Sequence, residues 1–298
     1  MCWMPISQHT GAPGSFQMPD DFGMTCPICG SDSWSIVAQT SDFGLSQCIN
    51  KCIIRTLPMP LYEPETDNTG NSETVTVMEN VYSDPADGHF RLARELLCLA
   101  GRFKPGGRLL DIGCGMGLLK LAQEIGYDIT GIDPTNSSTK YAQQIFGLNP
   151  LIGFFPDERL GLETFDIITM NHVLEHLPDP NFVLNAAIHL LKDSGVLAIA
   201  SPDYNGLMRR LRRTKWEGIR PCEHVWQLTS NSIANLLLKN GLEIAAKKNT
   251  TLQYNTSVGS LFRRLALKTA IGVAGPLNLG DNAIVIAQKS SSKRRPAA

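Results

Sequence analysis

The chain has 298 residues, 43% of them hydrophobic and 18% charged, with a formal net charge of -1. That is room for one large α/β domain plus a small satellite, and apolar content this high excludes a disordered chain. The near-neutral charge leaves no global basic footprint for nucleic acid, and no apolar run reaches the roughly 18 residues of a membrane span.

Residues 1–24 read as a flexible leader rich in Gly, Pro, Ser and Met, without the charged and apolar regions of a signal peptide, so a cytoplasmic location is expected. Residues 25–57 carry a cluster of four of the eight cysteines: Cys26, Cys29, Cys48 and Cys52. The other four are scattered, which does not suit a secreted disulfide framework. Two close pairs, with two and three intervening residues, suit a four-thiolate zinc site, the alternative being reduced free thiols. Cys26-Pro-Ile-Cys29-Gly30 makes a tight turn whose amides point at the sulfurs. Ile53 stands where the matching glycine of the second pair would be. With all four ligands supplied by the protein, such a metal is structural rather than catalytic. Residues 58–87 read as a Pro-rich, then polar and acidic linker.

Regular structure is expected from Gly88. Phe90, Leu92, Ala93, Leu96, Leu97 and Ala100 follow helical spacing, with Gly101 as a stop. Strand-like and helix-like segments then alternate. RLLDIG is a strand and the helix after Gly115 ends at Gly126. DITGID, LIGF, FDIITM and GVLAIA are further strands, with a helix over Ser137 to Phe146. Asp179-Pro180 predicts an N-cap and a proline at the first helical position. Thr229 or Ser230 caps a helix that Gly241 closes, and LEIAA and NAIVIAQ are the final strands. This alternation predicts a mostly parallel sheet covered by helices on both faces.

The most informative segment is Leu110-Asp111-Ile112-Gly113-Cys114-Gly115-Met116-Gly117, at a strand-to-helix turn. Glycines there let the backbone approach a ligand. The spacing is G-x-G-x-G rather than the dinucleotide G-x-G-x-x-G, and Asp111 would repel a pyrophosphate. A carboxylate there suits a cationic ligand. Asp133, 22 residues on at the end of the next strand, is placed to accept ribose hydroxyls.

These residues resemble class I S-adenosylmethionine-dependent methyltransferases. LLDIGCGMG is similar to their first motif, GIDPT to the acidic end of their second strand, FDIITMNHVLEHLPDP to their fourth-strand motif and GVLAIASP to the fifth strand. The resemblance spans residues 88–289. It implies a Rossmann-like α/β fold, a seven-stranded sheet with its last strand antiparallel. The cysteine segment resembles the zinc ribbon that precedes this domain in some bacterial small-molecule and sugar-modifying members. By the resemblance, Gly113, Cys114, Gly115 and Gly117 lie against the methionine and ribose of S-adenosyl-L-methionine. Asp111 holds the ammonium and Asp133 the ribose. Phe154 or Phe155 stacks on adenine, Asp157 is a weaker candidate for its amino group, and Asn171 lies near the methionyl end.

On the acceptor side, His224 is the candidate general base with Glu223 orienting it or holding the substrate, and His172 is the rival. His172, Glu175, His176 and His224 also have the spacing for a metal site as in a subset of RNA methyltransferases, although this motif is common without metal. The basic run Met208–Lys215 is either a solvated helix face or a clamp for an anionic acceptor. Residues 258–280, apolar with three basic residues, are a candidate acceptor lid. The expected activity is methyl transfer to an O or N atom of a small-molecule or sugar-type acceptor. Two alternatives are a tRNA or protein methyltransferase, and a catalytically silent scaffold that binds the cofactor.

Overall fold

The computed structural model describes residues 24–60, 88–115, 117–161, 165–251 and 279–289. The expected leader up to residue 23, most of the linker, the tail (290–298) and the body of the proposed lid lie outside these residues.

Three strands form the N-terminal part: β1 Trp34–Gln39, β2 Gly44–Cys48 and β3 Ile54–Leu57. Helix α1 Gly88–Gly101 leads into strand β4 Arg108–Ile112, helix α2 Leu118–Ile125, strand β5 Asp128–Asp133, helix α3 Asn136–Phe146 and the short strand β6 Leu151–Ile152. Then come β7 Phe165–Asn171, α4 Pro180–Leu190, β8 Leu191–Pro202, α5 Leu207–Arg212, β9 Trp226–Gln227, α6 Ser230–Lys239, β10 Leu242–Thr250 and β11 Asn282–Lys289. Local chemistry sets several boundaries. Asp179 accepts the amide of Phe182 ahead of Pro180, and Thr229 accepts the amide of Ser232. Gly126 closes α2 in the left-handed conformation.

The large sheet has the order β10-β11-β8-β7-β4-β5-β6. Strands β6, β5, β4, β7 and β8 run parallel, and β11 is antiparallel to both β8 and β10. The expected seven-stranded sheet with an antiparallel last strand is therefore present. Alternation along each strand feeds two cores. Leu109 and Ile167 pack with α1 and α2 residues such as Leu96 and Ala122, while Leu110 and Ile168 pack with Leu184 of α4 and Leu236 of α6. Burial on both faces explains why β7 and β8 read as continuous apolar runs. β8 starts at Leu191, earlier than its apolar stretch suggests, because the chain passes directly from α4 into the strand.

The N-terminal part carries the expected cysteine cluster, on a sheet that a distant strand completes. A second sheet has the order β1-β2-β3-β9, so its fourth strand comes from residues 226–227. Cys26, Cys48 and Ile53 belong to the same core as Trp226, Leu184 and Leu236. A segment this short cannot bury a core of its own, and it completes itself on the face carrying α4 and α6.

Candidate active site

The glycine turn and the ends of β4 and β5 form one hydrogen-bonded unit. Gly113 and Cys114 both donate their amides to the Ile132 carbonyl, at 2.8 and 3.2 Å. Gly115 donates to Asp133 Oδ2 at 2.9 Å, and Thr135 donates to Oδ1 at 2.8 Å. Gly113 and Gly115 have φ of 67° and 48°, which glycine adopts without penalty. Asp133 thus stitches two strand ends together, and the Thr135 side chain bonds its carboxylate as well. Gly117 is the N-cap of α2. The Cys114 side chain turns into the core, so only its backbone faces the turn.

Asp111 and Asp133 are both almost fully buried. Burial pushes the Asp111 carboxyl up to about 7, the hydrogen bond from Thr169 Oγ1 at 2.6 Å opposes this, and the charge of Asp133 adds to it. Burial also raises Asp133, against the amides of Gly115 and Thr135. Two buried acids at neighbouring strand ends, without a cation among the described residues to pair them, form a site that favours a positively charged ligand. Asn171, at the end of β7, has a buried Oδ1 with no hydrogen-bond partner among the described residues, a second acceptor open to a donor.

On the far side of β5 the expectations separate. Phe155 is 2% exposed and packed in the core, whereas Phe154 is 37% exposed. Asp157 caps the turn at Glu158–Leu160 and pairs with Arg159, leaving its carboxylate occupied. A cleft of about 440 Å³ lined by Leu119, Thr130, Leu148 and Arg159 shares none of the expected site residues.

The acceptor-side residues converge around Glu175. His172 has φ 57° and places Nδ1 3.3 Å from Glu175 Oε1, while Ser201 Oγ donates to Oε2 at 2.9 Å. Burial alone would raise the Glu175 carboxyl, but His172 beside it, with His176 and His224, holds it down to about 2. His176 and His224 stack edge to face at 4.7 Å. The Nδ1 of His176 lies 3.0 Å from the Glu223 carbonyl, and that of His224 lies 3.0 Å from the Gly218 carbonyl. Those carbonyls accept, so each ring carries its proton on Nδ1. Burial keeps both rings neutral, pushing His176 down to about 3 and His224 in the same direction. The expected partnership of Glu223 with His224 is corrected here. The Glu223 carboxylate points outward to Arg220 at 2.9 Å, and the acid beside the histidines is Glu175. Its signal was in the sequence, in VLEH, but only folding brings His224 beside it.

In the basic run, Arg209 stacks on Tyr204 at 3.7 Å, Arg210 donates to the Asn205 carbonyl and Arg212 pairs with Glu217.

The four sulfurs of Cys26, Cys29, Cys48 and Cys52 all lie within 4.8 Å of one another, with Cys29 and Cys48 3.5 Å apart. A tetrahedral zinc with bonds of about 2.3 Å sets sulfur–sulfur edges of about 3.8 Å, so the donor set fits. In the second turn Lys51, with φ 56°, adopts the left-handed conformation, and Asn50 Nδ2 reaches Cys29 Sγ at 3.4 Å. The Asn50 amide and the Ser31 N–H pull the Cys29 thiol down to about 6, while burial pushes Cys26 up to about 11 and Cys52 to about 12. Among the described residues no helix is long and apolar enough to cross a membrane.

The chain is similar to solved S-adenosylmethionine-dependent methyltransferases. One from Archaeoglobus fulgidus aligns with a TM-score of 0.51 at 21% identity, covering 72% of this chain and 99% of that one. A possible histamine N-methyltransferase from Thermotoga maritima aligns at 0.53 and 19%, covering 74% and 98%. These likenesses show the fold. Among curated proteins, the ubiquinone biosynthesis O-methyltransferase of Bordetella avium is 41% identical over 105 residues, 33% of this chain and 43% of the relative. The bovine mitochondrial protein of that name is 28% identical over 164 residues, 48% of this chain and 43% of the relative. The chain thus spans less than half the length of these curated relatives. A family model described as a methyltransferase domain matches residues 87–247, over half of the chain and the whole of the glycine turn, strand ends and histidine cluster. With its sheet order and its Asp111–Gly117 turn, the chain belongs to the methyltransferase domain family.

Proposed function

We propose that this protein transfers a methyl group from S-adenosyl-L-methionine to a hydroxyl oxygen of a small molecule. One observation carries the cofactor: two buried carboxylates, Asp111 and Asp133, frame a glycine turn that suits a cation and no pyrophosphate. When bound, the cofactor supplies an electrophilic methyl on a positively charged sulfur, whose loss leaves a neutral thioether. The chain's task is alignment. Asp111 and Asn171 Oδ1 take the ammonium end, Asp133 the ribose, and the exposed Phe154, rather than the core-bound Phe155, takes the adenine face.

The oxygen acceptor is favoured by the relatives' printed activity. A hydroxyl must lose its proton as it attacks, and His172 is the better-placed base. It sits at the end of β7 with part of its side chain exposed and Glu175 beside Nδ1, an ionised acid that steadies the imidazolium as it forms. His224 is almost fully buried and belongs to the structural pair with His176. Zinc in the four-cysteine site completes the reading as a structural ion.

Calorimetric titration with S-adenosylhomocysteine tests the core of the proposal. The wild type should bind it and ignore NAD. Asp133→Ala should weaken binding by about 1.5–3 kcal/mol, the range for hydrogen bonds to a charged group. An unchanged affinity in the folded variant would overturn the assignment.

A further inference from the structure

We propose that the four-cysteine module is a positioning element for the acceptor side: when loaded with zinc it clamps residues 224–228 and, through them, the His176–His224 pair. This rests on the zinc reading above. Strand β9 has two residues, and among the described strands its neighbour is β3. Two residues cannot hold a strand by themselves. Ile54 faces Gln227 and Arg55 faces Trp226 across the pair. Thr56 donates its amide to the Val225 carbonyl at 2.9 Å, and Gln227 Nε2 donates to Thr56 Oγ1 at 3.1 Å.

Trp226 is the pivot. It is 1% exposed, stacks against Trp34 of β1 at 6.3 Å, and donates Nε1–H to the Leu177 carbonyl at 2.7 Å. Leu177 follows His176, and Trp226 lies two residues from His224. The same indole therefore braces both strands of chain that carry the histidines. His176 is further tied to the Glu223 carbonyl. Remove Trp34 and β3, and a large apolar side chain loses one wall beside the Glu175 cluster.

The metal enters because its own turns make the dock. The Pro27 carbonyl, between Cys26 and Cys29, accepts Asn181 Nδ2 of α4 at 2.8 Å and Lys239 Nζ of α6 at 2.7 Å. The Cys52 carbonyl accepts Ser232 Oγ of α6 at 2.9 Å. These carbonyls point at the helices only while the cysteine turns keep their shape. On the zinc reading the four metal bonds hold that shape, alongside the packing on α4 and α6. Among the described residues the glycine turn and Asp133 make no such hydrogen bond to the module, so the cofactor end should be indifferent.

The test uses the full chain. Elemental analysis comes first and should find about one zinc per chain. Zinc is then removed with a thiol reagent and chelator, and restored. Four quantities are followed: amide exchange of residues 222–228, the imidazole resonances of His176 and His224, the unfolding temperature, and calorimetric affinity for S-adenosylhomocysteine. Removal should speed exchange in that segment by about tenfold or more, as for a locally opened unit. It should shift both imidazoles, leave cofactor affinity within about twofold, and reverse on adding zinc. Trp34→Ala, which retains all four thiolates, should reproduce the changes at 222–228 in milder form with zinc still bound. If zinc is present and its removal lowers only the unfolding temperature, with the imidazoles unmoved, the module is a stabiliser and the proposal fails. Loss of cofactor affinity along with zinc also overturns it, because the effect is then global. If no zinc is found, it is the metal reading that fails, and the positioning role falls with it.

Discussion

The two ends of the site are built in opposite ways. The glycine turn and the two acids of the cofactor end lie within one run of chain, from β4 to β5, where the turn's hydrogen bonds join residues about twenty positions apart, and Thr169 and Asn171 of β7 add to it. The acceptor end draws on residues 172–176, 201 and 224, and is braced by residues 34 and 54–56. A local unit keeps its shape through backbone geometry. An assembled one depends on packing, and a single lost wall spreads through it.

The largest expected effect falls on the assembled end. His172→Ala should slow the chemical step of single turnover by a factor on the order of 10²–10⁴ with cofactor affinity near wild type. If His224→Ala is the variant that loses rate and His172→Ala does not, the base assignment reverses. Trp226→Ala comes next. Truncating a buried Trp costs about 3–5 kcal/mol, so denaturant unfolding should show a loss of that size. A loss under about 1 kcal/mol would mean that the indole is not the brace described.

The next effect sharpens the local end. Asp111 titrates near 7 in the folded chain against an ordinary value of 3.8. Its carboxyl is raised, so the folded state gains relative to the unfolded state at low pH, and loses that gain as pH rises from about 4 to 7. A cationic cofactor binds the ionised form. Its affinity should therefore rise between pH 5 and 7, by at most about tenfold per unit. Calorimetry on Asp111→Asn should show a flat profile over this range, and a slope that persists there would assign the proton to another group. The smallest effect is Glu223→Gln. Its ion pair with Arg220 is exposed, so unfolding free energy should move by less than about 0.5 kcal/mol and single-turnover rates should not change. A large rate loss would return Glu223 to the site.

The legible parts of the molecule were those whose physics is short-range. Caps, turns and strand periodicity at Asp179, Thr229, Gly126 and β4 to β8 follow from neighbours in the chain, so their placement and the sheet class were readable from residue order. The same holds for Asp111, the Gly113–Gly117 turn and the two cysteine pairs. The pairing of Glu175 with His172, and the outward turn of Glu223 to Arg220, were not readable, because side-chain direction in a loop is set by what packs around it.

Residue order by itself determined the α/β class, the glycine turn with its two acids and the four-thiolate cluster, since each is encoded in adjacent residues and their spacing. Tertiary structure alone decided that Phe155 is core while Phe154 is exposed, that β9 completes the N-terminal sheet, and that Trp34 and Trp226 meet. The physical reason is the small size of the cysteine segment. It cannot bury its own apolar surface, so it borrows a strand and a wall from residues far along the chain, and no local pattern announces which ones.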